Sequence, residues 1–207
     1  GCYGHPAVHT PNIDRLAASG TRFANAYCPY PLCGPSRTAL LTGRRPESFP
    51  MGINEVSWED ASPDLRSLPQ IFREAGHETA GFGKLFHHGI REKELDAWKA
   101  AHPDAFLPHT YEHPASWDES GVTGKPASYE TRATGPEQVI DGRPNGGSSL
   151  HSIRAEDERV LPDFLAANEA IRFLKDRTQR EPGQDPFFLG VGFAKPHVPF
   201  IAPEKWW

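Results

Sequence analysis

A chain of 207 residues, 37% hydrophobic and 24% charged, is long enough to bury one core and part of a second, and reads as globular rather than disordered. With 27 acidic against 22 basic side chains and a formal charge of −5, it lacks the basic footprint of a nucleic-acid binder. No apolar run reaches the roughly 20 residues needed to span a bilayer.

The chain begins at Gly1, its single methionine is Met51, and it stops at Trp206 and Trp207. It reads as an internal piece of a longer protein, so the lack of a leader says nothing about export. Three cysteines, Cys2, Cys28 and Cys33, leave open either one bridge with one special cysteine or three free thiols.

In chain order, Thr10-Pro11 reads as a helix cap followed by proline at the first helical position. Ile13, Leu16 and Ala17 supply an apolar stripe and Gly20 ends it. Thr21 to Tyr27 alternates as a short strand would. A proline-rich turn (Pro29, Pro31, Pro35) leads into a helix from about Ser36 to Thr42, closed by Gly43. Leu65, Leu68, Ile71, Phe72 and Ala75 mark another helix, ended by Gly76, and His77 to Phe82 reads as a strand.

Residues 98–150 show little periodicity and read either as a loop-rich insertion near a binding face or as a stretch ordered only in the whole protein. Leu161, Phe164, Leu165, Ile171 and Leu174 predict a strong amphipathic helix. The run from Pro186 to Ala194 suits a strand buried on both faces. Helices alternating with buried strands predict an α/β layered domain with a largely parallel sheet. In such sheets ligands bind at the loops beyond the strand C-termini.

Cys33-Gly34-Pro35-Ser36-Arg37, followed by Leu41-Thr42-Gly43, carries the sharpest chemical signal. It puts a cysteine at the mouth of a helix, where backbone N–H groups favour an anion. Arg37, one turn on, adds a permanent charge with paired donors that match a sulfate or phosphate edge. On helix-start grammar alone, a buried cysteine beside a surface arginine is the commoner arrangement. A zinc site on Cys28 and Cys33 lacks a second cysteine pair.

Cys33-x-Pro-Ser-Arg37-x-x-x-Leu41-Thr42-Gly43 resembles the type I sulfatase signature at every fixed position. Gly1-Cys2-Tyr3-Gly4 through Pro11-Asn12-Ile13-Asp14, Gly83-Lys84-Leu85-Phe86-His87, and Lys195-Pro196-His197-Val198-Pro199-Phe200 resemble, in the same order, the iduronate-2-sulfatase branch. The likeness spans nearly the whole chain and is weakest from Trp98 to Leu150.

The resemblance implies an alkaline-phosphatase-like layered α/β domain, its largely parallel central sheet flanked by helices. This chain would be part of the N-terminal catalytic domain, without its first strand and C-terminal portion. It implies a formylglycine made from Cys33 by a formylglycine-generating enzyme. The hydrated aldehyde attacks sulfur through one hydroxyl and expels sulfate through the other. A helix terminus contributes only about 0.3–1 kcal/mol against barriers lowered by about 8–23 kcal/mol, so a divalent metal and several cations are needed besides.

By the same resemblance the metal is calcium or another divalent ion held by oxygen ligands. Cys33, as formylglycine, would be the one ligand present, the aspartate pair and later ligands falling outside the chain. Arg37 would orient the diol, Lys84 and His87 would contact diol and sulfate, and His197 would be the acid at the leaving alcohol. Lys195 would bind substrate or flank the loop that presents His197. Taken singly, each of these side chains has an ordinary structural reading; it is their joint occurrence that favours the family pattern. His102, His109 and His113 invite a metal reading, but loop histidines at such spacings are expected to be exposed.

The implied activity is hydrolysis of sulfate esters on a sulfated sugar or polysaccharide, with this 207-residue piece inactive alone. Two rivals remain: a phosphate or phosphonate ester hydrolase of the same superfamily, and a non-catalytic binder of sulfated glycans in which Cys33 stays a thiol. Family habit implies export to a periplasm, a lysosome or the extracellular space.

Overall fold

The computed structural model describes residues 1–48, 62–87, 113–121, 138–139, 149–153, 158–159, 161–180, 186–197, 200–203 and 205. Helices α1 (Pro11–Ala18), α2 (Cys33–Thr42) and α3 (Leu68–Glu74) precede the strand β1 (Glu78–Gly83). Then come β2 (Glu119–Gly121), β3 (Gln138–Val139), β4 (Ser149–Ile153), α4 (Pro162–Thr178), β5 (Phe187–Gly192) and β6 (Phe200–Pro203). One three-stranded sheet has the order β2-β1-β5 and is parallel throughout; a second runs β3-β4-β6, with β3 antiparallel and β6 parallel to β4. The parallel α/β architecture expected from the alternating pattern is the one observed.

β1 lies in the middle of its sheet because its side chains suit burial on both faces: Thr79 to Gly83 are all buried. Successive residues of a strand point to opposite faces. Ala80 and Phe82 meet Ala166, Ala170 and Phe173 of α4, with Leu189 of β5 beside them. On the other face Leu41 of α2, Phe86 and Trp117 form a second cluster, joined by Leu65, Leu85 and Phe188. Helices therefore cover both faces, as a parallel sheet requires.

Several expectations are corrected in detail. Thr21 to Tyr27 forms no strand; the Phe23 carbonyl accepts the Tyr3 hydroxyl at 2.9 Å instead of a ladder N–H, and Tyr27 is exposed. The packed face of α4 is Ala166, Ala170 and Phe173, not the stripe ending in Ile171 and Leu174, which are exposed. The small alanines let the helix approach β1 closely. β5 is not buried on both faces, since Phe187 is 42% and Val191 36% exposed. Among the described residues it pairs only with β1. The stripe of α1 faces outward too, with Ile13 and Leu16 exposed and no buried residue in the helix.

Within the aperiodic stretch 98–150, the described residues 113–121 reach the core: His113, Ser116 and Trp117 are buried and β2 pairs with β1 in register Ala80 to Glu119. Asp118 joins the pieces. Its Oδ2 accepts the Thr79 N–H at 2.9 Å and the Thr79 hydroxyl at 3.1 Å, while Arg73 Nε of α3 donates to Oδ1 at 2.7 Å. Burial raises the Asp118 carboxyl, but these hydrogen bonds and the Arg73 charge outweigh it and hold it below its ordinary value. At the start of β1, Glu78 is also held low: burial raises it, and hydrogen bonds from Arg177 and Arg180 more than compensate.

Candidate active site

α2 begins three residues earlier than its apolar pattern predicts, at Cys33 itself. Leu32 is extended (φ −145°, ψ 142°), and the Ser36 N–H closes the first turn onto the Leu32 carbonyl at 3.1 Å. Pro35 is tolerated in this turn because first-turn N–H groups have no acceptor within the helix. Gly34 and Pro35 are buried, and Cys33 is half-buried at the mouth. The helix ends at Gly43 in the left-handed region (φ 67°), whose N–H bonds the Ala39 carbonyl at 3.0 Å.

Four residues after Cys33, Arg37 reaches out of α2 to the loop that follows β1. Its Nη1 donates to the Lys84 carbonyl at 2.5 Å and the Leu85 carbonyl at 3.0 Å. One cationic nitrogen thus holds two consecutive carbonyls of the Lys84–His87 segment, and Cys33 lies one turn back on the same helix. Residues at i and i+4 share a helix face, so Cys33 and Arg37 lie on the same side of α2.

The loop that Arg37 holds leaves the C-terminal end of β1, which lies beside that of β5. In register, Gly81 faces Gly190 and Gly83 faces Gly192. A Cβ on Gly81 would come within 2.6 Å of the Trp117 indole, and one on Gly190 within 3.0 Å of both Leu85 and Trp117. The first glycine pair therefore makes the recess in which Trp117 lies. At the second pair a Cβ on Gly83 would overlap the Gly192 carbonyl, and one on Gly192 the Lys84 carbonyl. This close approach lets the Lys84 N–H donate to the Gly192 carbonyl at 2.7 Å, which ties the two loops together.

Beyond Gly192, the turn carrying Lys195 and His197 is held by Asp163 in the first turn of α4. Its Oδ1 accepts the Ala194 N–H at 2.7 Å and its Oδ2 the Lys195 N–H at 3.0 Å. The His197 N–H returns to the Ala194 carbonyl at 3.0 Å, and Lys195 Nζ donates to the His197 carbonyl at 3.0 Å. The Lys195–Pro196 peptide is cis.

Phe86 roots the Lys84–His87 loop in the core. It is 1% exposed and packs against Trp117 and His113, with ring centroids 6.2 and 5.6 Å away. His113, expected to be exposed, is instead 7% exposed. Its Nδ1 lies 2.6 Å from the Ser116 hydroxyl, which lies 2.6 Å from that of Ser67, the N-cap of α3. Those hydrogen bonds are what makes a buried loop histidine tolerable. His102 and His109 lie outside the described residues.

All three cysteines are free thiols. Among the described residues, no group of three or more His, Cys, Asp or Glu side chains is arranged to hold a metal. Cys33 alone does not make the expected calcium site. Also among the described residues, no helix is long and apolar enough to cross a membrane.

A family profile described as Sulfatase matches residues 1–206. The chain belongs to the sulfatase family. It is 34% identical to iduronate 2-sulfatase of Mus musculus over 207 residues, covering 99% of this chain and 34% of that protein. A sulfatase of Formosa agariphila is 35% identical over 209 residues, covering 96% of this chain and 36% of its own length. The chain thus spans about a third of the length of these curated relatives. Phosphonate monoester hydrolase of Agrobacterium radiobacter shares the fold, with a TM-score of 0.65 at 20% identity over 99% of this chain and 40% of that one. The alkaline-phosphatase-like layering expected from the signature is therefore present.

Of the residues singled out in this sulfatase sequence, hydrogen bonds to main-chain carbonyls join Arg37, the Lys84–His87 loop and the Gly192–His197 loop at one end of the parallel sheet. Lys84, His87 and Lys195 are half-buried there and His197 is exposed. Sequence reasoning passed over Asp163, Trp117 and the paired glycines. The Gly-x-Gly spacing at residues 81–83 and again at 190–192 was the available signal, since glycine within a strand marks close approach of another group.

Proposed function

We propose that this chain supplies the nucleophile and anion-binding loops of an enzyme that hydrolyses sulfate esters of a sulfated sugar, with Cys33 converted to formylglycine. The observation that carries the reading is the seating of the signature: Cys33 is the first residue of α2, and Arg37 in the next turn is bonded to the Lys84 and Leu85 carbonyls. A hydrated aldehyde at this position offers one hydroxyl to attack sulfur and a second to expel sulfate, which serine cannot do.

The chain's own groups divide the remaining work. Helix-mouth N–H groups and Arg37 favour negative charge beside residue 33. Lys84 and His87 contact the transferring sulfate, Lys195 binds the substrate, and His197 protonates the leaving alcohol, worth about 10²–10⁴ in rate. The whole protein also binds a divalent metal, calcium by family resemblance, through ligands besides residue 33. It meets a formylglycine-generating enzyme during maturation and acts after export.

The test is to express the full reading frame with a formylglycine-generating system and weigh the tryptic peptide that ends at Arg37. An aldehyde or its hydrate at residue 33, with turnover of an aryl sulfate well above that of the matched aryl phosphate, is the expected result. Faster phosphate turnover would move the protein to the phosphate-ester class. A thiol in nearly all molecules beside a working modifier would overturn catalysis and leave a binder of sulfated glycans.

A further inference from the structure

We propose that Asp163 is a positioning residue for this reaction, acting through the turn that carries Lys195 and His197; the inference rests on the sulfate-ester reading above. An acidic side chain in the first turn of a helix ordinarily serves its own helix by facing the N-terminal N–H groups. Asp163 is in that place in α4, yet its two oxygens go to another element, one to the Ala194 N–H at 2.7 Å and the other to the Lys195 N–H at 3.0 Å. Leu161, the N-cap of α4, gives the helix no side-chain cap to compensate.

Both donors are main-chain groups on consecutive peptides. Holding them fixes two peptide planes at the point where the ladder between β5 and β1 has ended at Gly192. The next residues follow from that: Lys195 Nζ and the His197 N–H both bond within the turn, to the His197 and Ala194 carbonyls. The other end of the clamp is rigid, because α4 is packed through Ala166, Ala170 and Phe173 onto Ala80 and Phe82. A charged acceptor makes such bonds short and roughly twice as strong as neutral ones. Asp163 therefore sets where His197 stands relative to the sheet that carries Lys84.

A catalytic group displaced by about 1 Å loses on the order of 10² in rate. The experiment uses the full-length, formylglycine-bearing enzyme with D163N, D163A, H197A and D163A/H197A, each normalised for formylglycine content by mass. D163A is expected to lower kcat on an aryl sulfate by about 10- to 100-fold, yet by less than about twofold when His197 is already alanine. D163N, which keeps the shape and one acceptor oxygen, should fall between. Hydrogen exchange in the peptide covering residues 193–197 should accelerate about tenfold or more in D163A while β5 keeps its protection. Equal losses of kcat in both backgrounds, or unchanged exchange at residues 193–197, would overturn the proposal. The exchange result needs no turnover, so a parent inactive on sulfate and phosphate esters would overturn the functional reading while the clamp was still decided.

Discussion

Arg37 joins what stands out in the sequence to what only the fold reveals. Its place in the signature announces an anion site, but its partners are the Lys84 and Leu85 carbonyls, 47 and 48 positions along the chain. A lysine there keeps the charge and loses the planar fork. In the full-length enzyme, R37K is expected to lower kcat/KM on an aryl sulfate by about 10²–10³, as removal of a fixed anion-stabilising donor does elsewhere. Because Arg37 also belongs to the modification signature, the rate is compared per formylglycine-bearing molecule. A normalised rate within threefold of the parent would show that charge alone suffices. Gly192 is the opposite case, a residue with no chemistry whose Cβ would strike the Lys84 carbonyl. G192A forces the β1 and β5 loops apart and should cost about 1–3 kcal/mol in a denaturant titration, with kcat reduced alongside. Neither contact is legible locally, since both depend on which strand lies beside which.

Among the elements, those with strong local grammar are legible nearly in place. Proline at the first helical position marks α1, Ser67 caps α3 through the Gln70 N–H, and Gly43 and Gly76 close their helices with positive φ. Failures occurred where a partner decides. Thr21 to Tyr27 has strand composition but no neighbouring strand among the described residues, and β2 is three residues long, too short for periodicity to show. Besides its ladder with β1, β2 is anchored by Asp118 just before it, which bonds Thr79 of β1 and Arg73 of α3. Asp118 and Glu78 both titrate below their ordinary values of 3.8 and 4.5, so the unfolded chain takes up protons first. Their stabilising contribution is complete above about pH 5 and fades as the pH falls through the lowered folded values. D118N should therefore lower the melting temperature at pH 7, and the gap to the parent should narrow as the pH falls below the ordinary carboxyl value of 3.8. A gap that stayed constant down to pH 2.5 would rule out the carboxylate's charge as the source.

For the whole molecule, the surface that remains open bears on what the 207 residues do alone. Phe187, Val191 and Phe193 are exposed on and just beyond β5, and Ile13 and Leu16 on α1, while Phe188 on the opposite face of the sheet is partly buried against Leu41, Phe86 and Trp117. Exposed apolar side chains scattered singly are ordinary; several on one strand and on one unpacked helix are not. β5 also presents a row of main-chain donors and acceptors along the edge away from β1, among the described residues, which is a template for pairing. Sulfatase relatives are about three times as long as this chain, so their additional length is available to cover such surfaces. The chain expressed alone should therefore bind a hydrophobic dye and elute above its 22.9 kDa mass, in proportion to concentration. It should also be inactive on an aryl sulfate. Lysine at Val191 should reduce the association, because a charge on an exposed strand face discourages edge pairing. Light scattering coupled to gel filtration decides the matter. A monodisperse monomer with a sharp thermal transition would mean that the β5 surface is tolerated as it stands, and that the fold's stability lies in the two packed clusters around β1.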